Sequence, residues 1–434
     1  MKSPHANAVA QGDGLMVYGE GTVTTPRNRA WTQASVSWGG EGSSPAAAAT
    51  IRSVIIKASP KRDEMIAGIQ TTGGILYIQR WNGTAWSNEW NVTVGNGMPR
   101  FDIAYERLSG EAVIVYSGNV GTTNELRYRV WNGTSWTAAT NLDTVRTSGV
   151  VHTLRMESQG VNSDAIGIVW ADANLDVSAN YWNGATNTWT GEPTAVLSTS
   201  VAVVGTSTTP TNWAFDIAFE SLSGDMLVVW GNNAVQDLLH VTRASGAGGA
   251  WGSITTTTAA LEEPTDLDLS SDPNSDYIAY ANISDNTAGA DASTWSGTGW
   301  NSFSNFDTAI GTVAVTTNNI SVSWVRSGTQ DRAVVVYEDA TAAGIDWLFY
   351  NKNTNAWSAT QTDFTTAPAP ATDMKSVRQV TNPFDNSQAM VVVVDSASDI
   401  FAKRLSFDGT NFSWSSSEGA SALEISGSSI TGIG

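Results

Sequence analysis

A short aromatic hairpin recurs eight times along this 434-residue chain. Its clearest copies are Trp81-Asn-Gly-Thr-Ala-Trp86, Trp131-Asn-Gly-Thr-Ser-Trp136 and Trp182-Asn-Gly-Ala-Thr-Asn-Thr-Trp189. Weaker copies end at Trp38, Trp251, Trp300, Trp357 and Trp414, so successive closing tryptophans stand 48, 50, 53, 62, 49, 57 and 57 residues apart. A period of about fifty residues running the length of a chain is the mark of a solenoid or a propeller, in which each repeat buries its core against the next.

Each repeat contains three or four short segments rich in Val, Ile, Tyr, Phe and Trp, separated by turn residues, and none with a sustained helical period. The most regular segment is a near-continuous apolar run, as in Ala112-Val-Ile-Val-Tyr116, Met226-Leu-Val-Val-Trp230 and Ala333-Val-Val-Val-Tyr337. Such runs are strands covered on both faces, as stacked blades would cover them. A preceding segment recurs as Phe101-Asp-Ile-Ala-Tyr-Glu106 and Phe215-Asp-Ile-Ala-Phe-Glu220. With this segment as strand a, the apolar run as b, and the two arms of the hairpin as c and d, the expectation is an all-β fold. It is an eight-bladed β-propeller of four-stranded antiparallel blades, one domain over residues 1–434. Blade 1 has only a weak strand a, in Asn7 to Gln11. Ile430 lies 16 residues after Trp414, where a further strand a is due, so the C-terminal strand is expected to pair into the first blade and leave no open edge.

Composition narrows the function. With 22 Lys and Arg against 41 Asp and Glu, and no basic cluster, nucleic acid and anionic membrane are poor partners. The absence of cysteine removes disulfides and thiolate chemistry, and no run approaches the roughly 18 apolar residues of a spanning helix, so no membrane insertion is expected. The usage of Thr, Ser, Asn, Gly and Trp with few lysines points to an extracellular or cell-surface protein, although the first residues are not a signal peptide. A leader removed on secretion, or a longer precursor, would reconcile the two.

Asn-Gly between paired aromatics predicts a two-residue type I′ turn. Here the chain resembles the Asp-box, sialidase-like propellers, whose hairpin follows Ser-x-Asp-x-Gly-x-Thr-Trp; the nearest copy is Ser406-Phe-Asp408-Gly409-Thr-Asn-Phe-Ser-Trp414, with altered spacing. In those families the box is a structural turn opposite the active site, so the resemblance does not imply hydrolysis. More generally the whole chain resembles Trp-rich repeat propellers of prokaryotic surface proteins, tandem-repeat lectins among them. What recurs is the repeat and not a set of functional residues. The hairpin tryptophans are expected to be packing groups.

The b–c loops vary most between repeats and carry most of the loop carboxylates, so a ligand site is expected on their face. Its candidates are Trp170, Asp172, Asp176, Trp230, Asn232, Tyr337, Asp339 and Asp395, which pair carboxylates or amides with aromatics at the ends of strand b. Solvated charge and Asx turns are the plainer account of the carboxylates. No cofactor is expected. Calcium is the one metal with a motif, Asp172-Ala-Asn174-Leu-Asp176, which alternates oxygen ligands but lacks the downstream Gly and Glu of a calcium loop. Asp102, Asp216, Asp266 and Asp373 on strand a either line a solvated central channel or bind nearby backbone N–H groups.

The expected function is a non-catalytic binding module recognising a glycan or a surface protein through the b–c face. The alternative is a self-assembling building block of a surface layer, filament or adhesin. A sialidase-like glycoside hydrolase stands third: the strand c arginines, Arg29, Arg80, Arg129, Arg243 and Arg404, recur beside the hairpin as repeated structural groups would, and no Gly-x-Ser-x-Gly elbow, P-loop or His-Glu-x-x-His motif is present.

Overall fold

The computed structural model describes residues 13–121, 125–142, 149–160, 163–202, 205–206, 209–210, 212–233, 237–257, 264–284, 289–308, 310, 319–338, 345–363, 374–395, 397–415, 422–425 and 430–433. Among these residues there is no helix, and the strands form eight antiparallel blades arranged as a β-propeller. Blade 2 shows the unit: Ile51–Ala58, Met65–Thr71, Ile75–Trp81 and Trp86–Thr93 pair in sequence order as strands a, b, c and d. Strand d is shorter elsewhere, and in blades 1, 7 and 8 it is split in two.

The ring closes as the spacing predicts. Ile430–Ile433 lies antiparallel to strand b of blade 1, Gly14–Glu20, with Tyr18 opposite Ile433 and Glu20 opposite Ile430. The weaker candidate, Asn7 to Gln11, lies outside the described residues.

Eight apolar clusters hold the blades together, one in each seam between neighbours. Strand b supplies most of each cluster; all seven residues of Met65–Thr71 and of Ile166–Asp172 are buried. Each seam also receives the closing tryptophan of its following blade, from Trp86 between blades 1 and 2 to Trp38 between blades 8 and 1. The two tryptophans of a hairpin differ, however. Trp131 and Trp182 are buried, whereas all eight closing rings are only half-buried. Packing accounts for Trp131 and Trp182 fully and for the closing rings in part, while Trp81 is itself half-buried.

The hairpin turn itself departs from the type I′ expectation. Trp81 pairs with Trp86 across a four-residue loop, in which Asn82 Oδ1 accepts the N–H groups of Thr84 and Ala85. Only the glycine is left-handed, at φ 93° in both Gly83 and Gly133. The asparagine is selected for its side-chain cap instead of its own backbone angle.

Candidate functional site

Two of the candidate b–c loop carboxylates cap amides of the loops themselves. Asp172 is buried; its Oδ1 accepts the N–H groups of Asn174 and Asp176, and its Oδ2 that of Gly149. Asp395 is buried and accepts the Asp399 N–H. Asn232 accepts the Ser200 hydroxyl at 2.5 Å. Among the described residues no three His, Asp or Glu side chains are grouped to hold an ion.

Trp170, Trp230 and Tyr337 correct the sequence reading, being 1%, 0% and 0% exposed and not rings beside an open loop. Each occupies the same register in strand b and packs into a seam. Strand b is covered on both faces along its whole length, so its last aromatic is still inside the stack. Asp339 and Asp373 lie outside the described residues.

Strand a carries a belt around the axis. Asp102, Arg155, Asp216, Asp268, Ser321 and Arg378 hold one register in blades 3 to 8, each opposite the corresponding Val or Ala of strand b. The acceptors in this belt stitch one blade to the next. Asp102 accepts Met156 N–H, Asp216 accepts Leu269 N–H, Asp268 accepts Val322 N–H and Ser321 Oγ accepts Gln379 N–H, at 2.8 to 3.2 Å. Strand a leaves one backbone edge toward the channel, and these side chains satisfy part of it. Asp266 does not share the register; it lies two residues before Asp268 and accepts the Asn319 N–H.

Arg155 and Arg378 belong to blades 4 and 8, which face each other across an eightfold ring. Both guanidinium groups contact the Trp213 ring, at 4.2 and 5.6 Å. The indole therefore lies in the lumen as a bar across the channel. Trp213 lies on the long d–a connection of the 62-residue interval, two residues before strand a of blade 5. Among the described residues the axis is thus packed by Trp213 and stitched by the belt of strand a.

Burial pushes Asp216, Asp266 and Glu106 up to about 7 and His152 and His240 down to about 4. A carboxyl raised on folding lends stability that is complete below its unfolded pKa and is lost as pH rises through its folded value. A histidine depressed on folding acts oppositely, its contribution fading as pH falls below about 6.5. Three raised acids outweigh two depressed histidines between pH 8 and pH 6. The thermal midpoint should therefore rise by on the order of 2 °C over that interval, read by calorimetry. A midpoint that falls on acidification would show the histidines dominating.

The hairpin end of the seam between blades 2 and 3 holds a different kind of cluster. Arg80, on strand c, donates through Nε to Glu89 Oε1 at 3.0 Å. Glu89 stands in a bulge of strand d, between residues paired to Gln79 and Ile78, and so turns out of the regular alternation. Its other oxygen accepts the indole N–H of Trp136, the closing tryptophan of blade 3, at 3.1 Å. The side chains of Arg80 and Glu89 are 23% and 13% exposed, so solvent reaches the group. Trp90 meets Trp136 edge to face at 5.5 Å. A planar donor, a carboxylate acceptor, an indole N–H and half-exposed aromatic faces thus converge at one seam.

No family model and no curated protein matches the chain. Solved structures do. The BP39L lectin from Burkholderia pseudomallei superposes with a TM-score of 0.58 at 10% identity, over 86% of this chain and 99% of that one. The Aleuria aurantia lectin, a six-bladed β-propeller, gives a TM-score of 0.42 at 10% identity, over 87% of this chain and 96% of that one. At these identities the first likeness is one of fold: the chain shares the propeller architecture of a lectin.

Proposed function

We propose that the protein is a carbohydrate-binding module of a secreted or cell-surface protein, which holds its ligand at blade seams without hydrolysing it. The observation that carries this reading is the Arg80–Glu89–Trp136 cluster. A sugar hydroxyl donates to a remaining carboxylate lone pair while accepting from a guanidinium N–H, and the sugar's C–H face packs on an aromatic ring; the Trp136 N–H, already given to Glu89, holds that carboxylate in place. The shared fold with a lectin supports the same reading, as does the surface-type composition. The site lies on the hairpin face, opposite the variable b–c loops, so the half-exposed tryptophans serve both packing and contact.

The test is calorimetric titration with methyl α-L-fucoside, methyl α-D-mannoside, methyl β-D-galactoside and methyl β-N-acetylglucosaminide. At least one should bind, and Arg80→Ala and Glu89→Gln should each weaken it at least tenfold while leaving the thermal midpoint within a few degrees, since removing one charged hydrogen bond costs about 1.5–3 kcal/mol. Absence of heat with all four would sink the reading. Turnover of the corresponding p-nitrophenyl glycosides by purified protein, abolished by Glu89→Gln, would make it an enzyme instead.

A further inference from the structure

Eight seams invite the expectation of eight equivalent sites. The residues say otherwise, and resting on the carbohydrate reading above, we propose that the protein has a single site and is a monovalent binder. The register fixes the comparison. The strand c position of Arg80 is opposite the second residue of the strand b run in every blade, and the bulge position of Glu89 is three residues after each closing tryptophan. Only Arg404 of blade 8 repeats the guanidinium, and only Glu41 and Glu192 of blades 1 and 4 repeat the carboxylate. Their counterparts are Ser417, Ala30 and Tyr181, so no other blade carries both. The remaining four blades carry neither.

The structure shows what happens when the arginine is missing. In blade 1, Glu41 turns to the opposite seam, where the Tyr18 hydroxyl donates to it at 2.9 Å and Arg27 lies 3.5 Å away. The indole N–H of Trp86, which stands where Trp136 stands in the next seam, is left buried with no hydrogen-bond partner. In blade 4, Trp251 donates to the Gly191 carbonyl instead of a carboxylate. Arg80 is therefore a positioning residue as well as a contact: its Nε and the Ser87 hydroxyl both donate to Glu89 Oε1, at 3.0 and 2.7 Å, and hold the glutamate toward Trp136, whereas blades 1 and 4 lack both the arginine and the serine. Chemistry for one ligand sits on an eightfold scaffold, and the other seven seams are packing.

The experiment counts sites. Titration with the same four methyl glycosides should give a stoichiometry near one per chain, Arg80→Ala should weaken that site at least tenfold and leave no site of the original affinity, and Arg404→Ala, at the matching position of blade 8, should change neither affinity nor stoichiometry. Two or more sites per chain, or sites in Arg80→Ala that keep the original affinity, would overturn the single-site inference while leaving carbohydrate binding intact. No heat with any of the four glycosides would instead remove the reading on which the inference rests. Trp136→Phe, which keeps an aromatic in the seam but deletes the indole donor, should weaken binding severalfold at unchanged stoichiometry; unchanged affinity would remove Trp136 from the site.

Discussion

Removal of Glu424 to Gly434 is expected to lower the thermal midpoint by on the order of 5–10 °C and to make the protein self-associate. The deleted segment supplies the strand that pairs with Tyr18, Gly19 and Glu20, and the short strand that pairs with Asp399 and Ile400 of blade 8. It also supplies Ile430, part of the apolar cluster between blades 8 and 1, and Glu424, which accepts the Tyr18 hydroxyl and lies 3.5 Å from Arg29. Several backbone hydrogen bonds at about 1 kcal/mol each, with the burial of an isoleucine, sum to roughly 6 kcal/mol. A chain of this length has a melting entropy of roughly 0.9 kcal/mol/K, so that loss corresponds to about 7 °C. Gly14–Glu20 would become an open strand edge, which is a template for pairing with another copy. Calorimetry and size-exclusion chromatography check both parts. A truncated protein that melts and elutes like the full chain would mean that the ring is closed by other contacts.

The ring was legible because its signals are local and repeated. The hairpin tryptophans, the apolar b runs and the distance from Trp414 to Ile430 each depend on neighbours in sequence, and eight copies reinforce one another. The proposed site was not legible because its parts are non-local. Glu89 owes its direction to a bulge, and its indole partner Trp136 lies 47 residues further on, in another blade. The signal available was a glutamate three residues after a closing tryptophan, recurring as Glu41, Glu89 and Glu192. Loop variability and acidity point to the b–c face, where Asp172, Glu125 and Asp395 cap the amides of their own loops. Exposure of an aromatic beside a loop cannot be read from a strand whose both faces are covered, which is why Trp170, Trp230 and Tyr337 were misplaced. The channel aspartates were found at the correct belt in two cases, Asp102 and Asp216, but the register shift before Asp268 is invisible without pairing partners.

Trp182→Ala should cost about 3–5 kcal/mol, the usual range for deleting a fully buried tryptophan side chain, and so lower the thermal midpoint by about 3–6 °C. Its ring is 0% exposed in the seam between blades 3 and 4, and its N–H donates to Glu106 Oε1 at 2.6 Å. The same link, from the first hairpin tryptophan back to a glutamate at the end of the preceding blade's strand a or at the start of its strand b, recurs as Trp131 to Glu64 and Trp295 to Glu220, at 3.0 and 2.8 Å. Removing the donor leaves the buried Glu106 with the Ser109 hydroxyl, an acceptor stripped of one partner in a dry site. The companion change Trp189→Ala, at the half-buried closing ring of the same hairpin, should cost clearly less, and so should Trp136→Ala, whose ring is likewise half-buried. Denaturant unfolding of the three variants orders them directly. Equal losses at both rings of a hairpin would mean that the seam treats them alike, and that the exposed edge of the closing tryptophan is incidental to packing and unavailable for a ligand; a large loss confined to Trp182 leaves the closing rings free to act at the hairpin face.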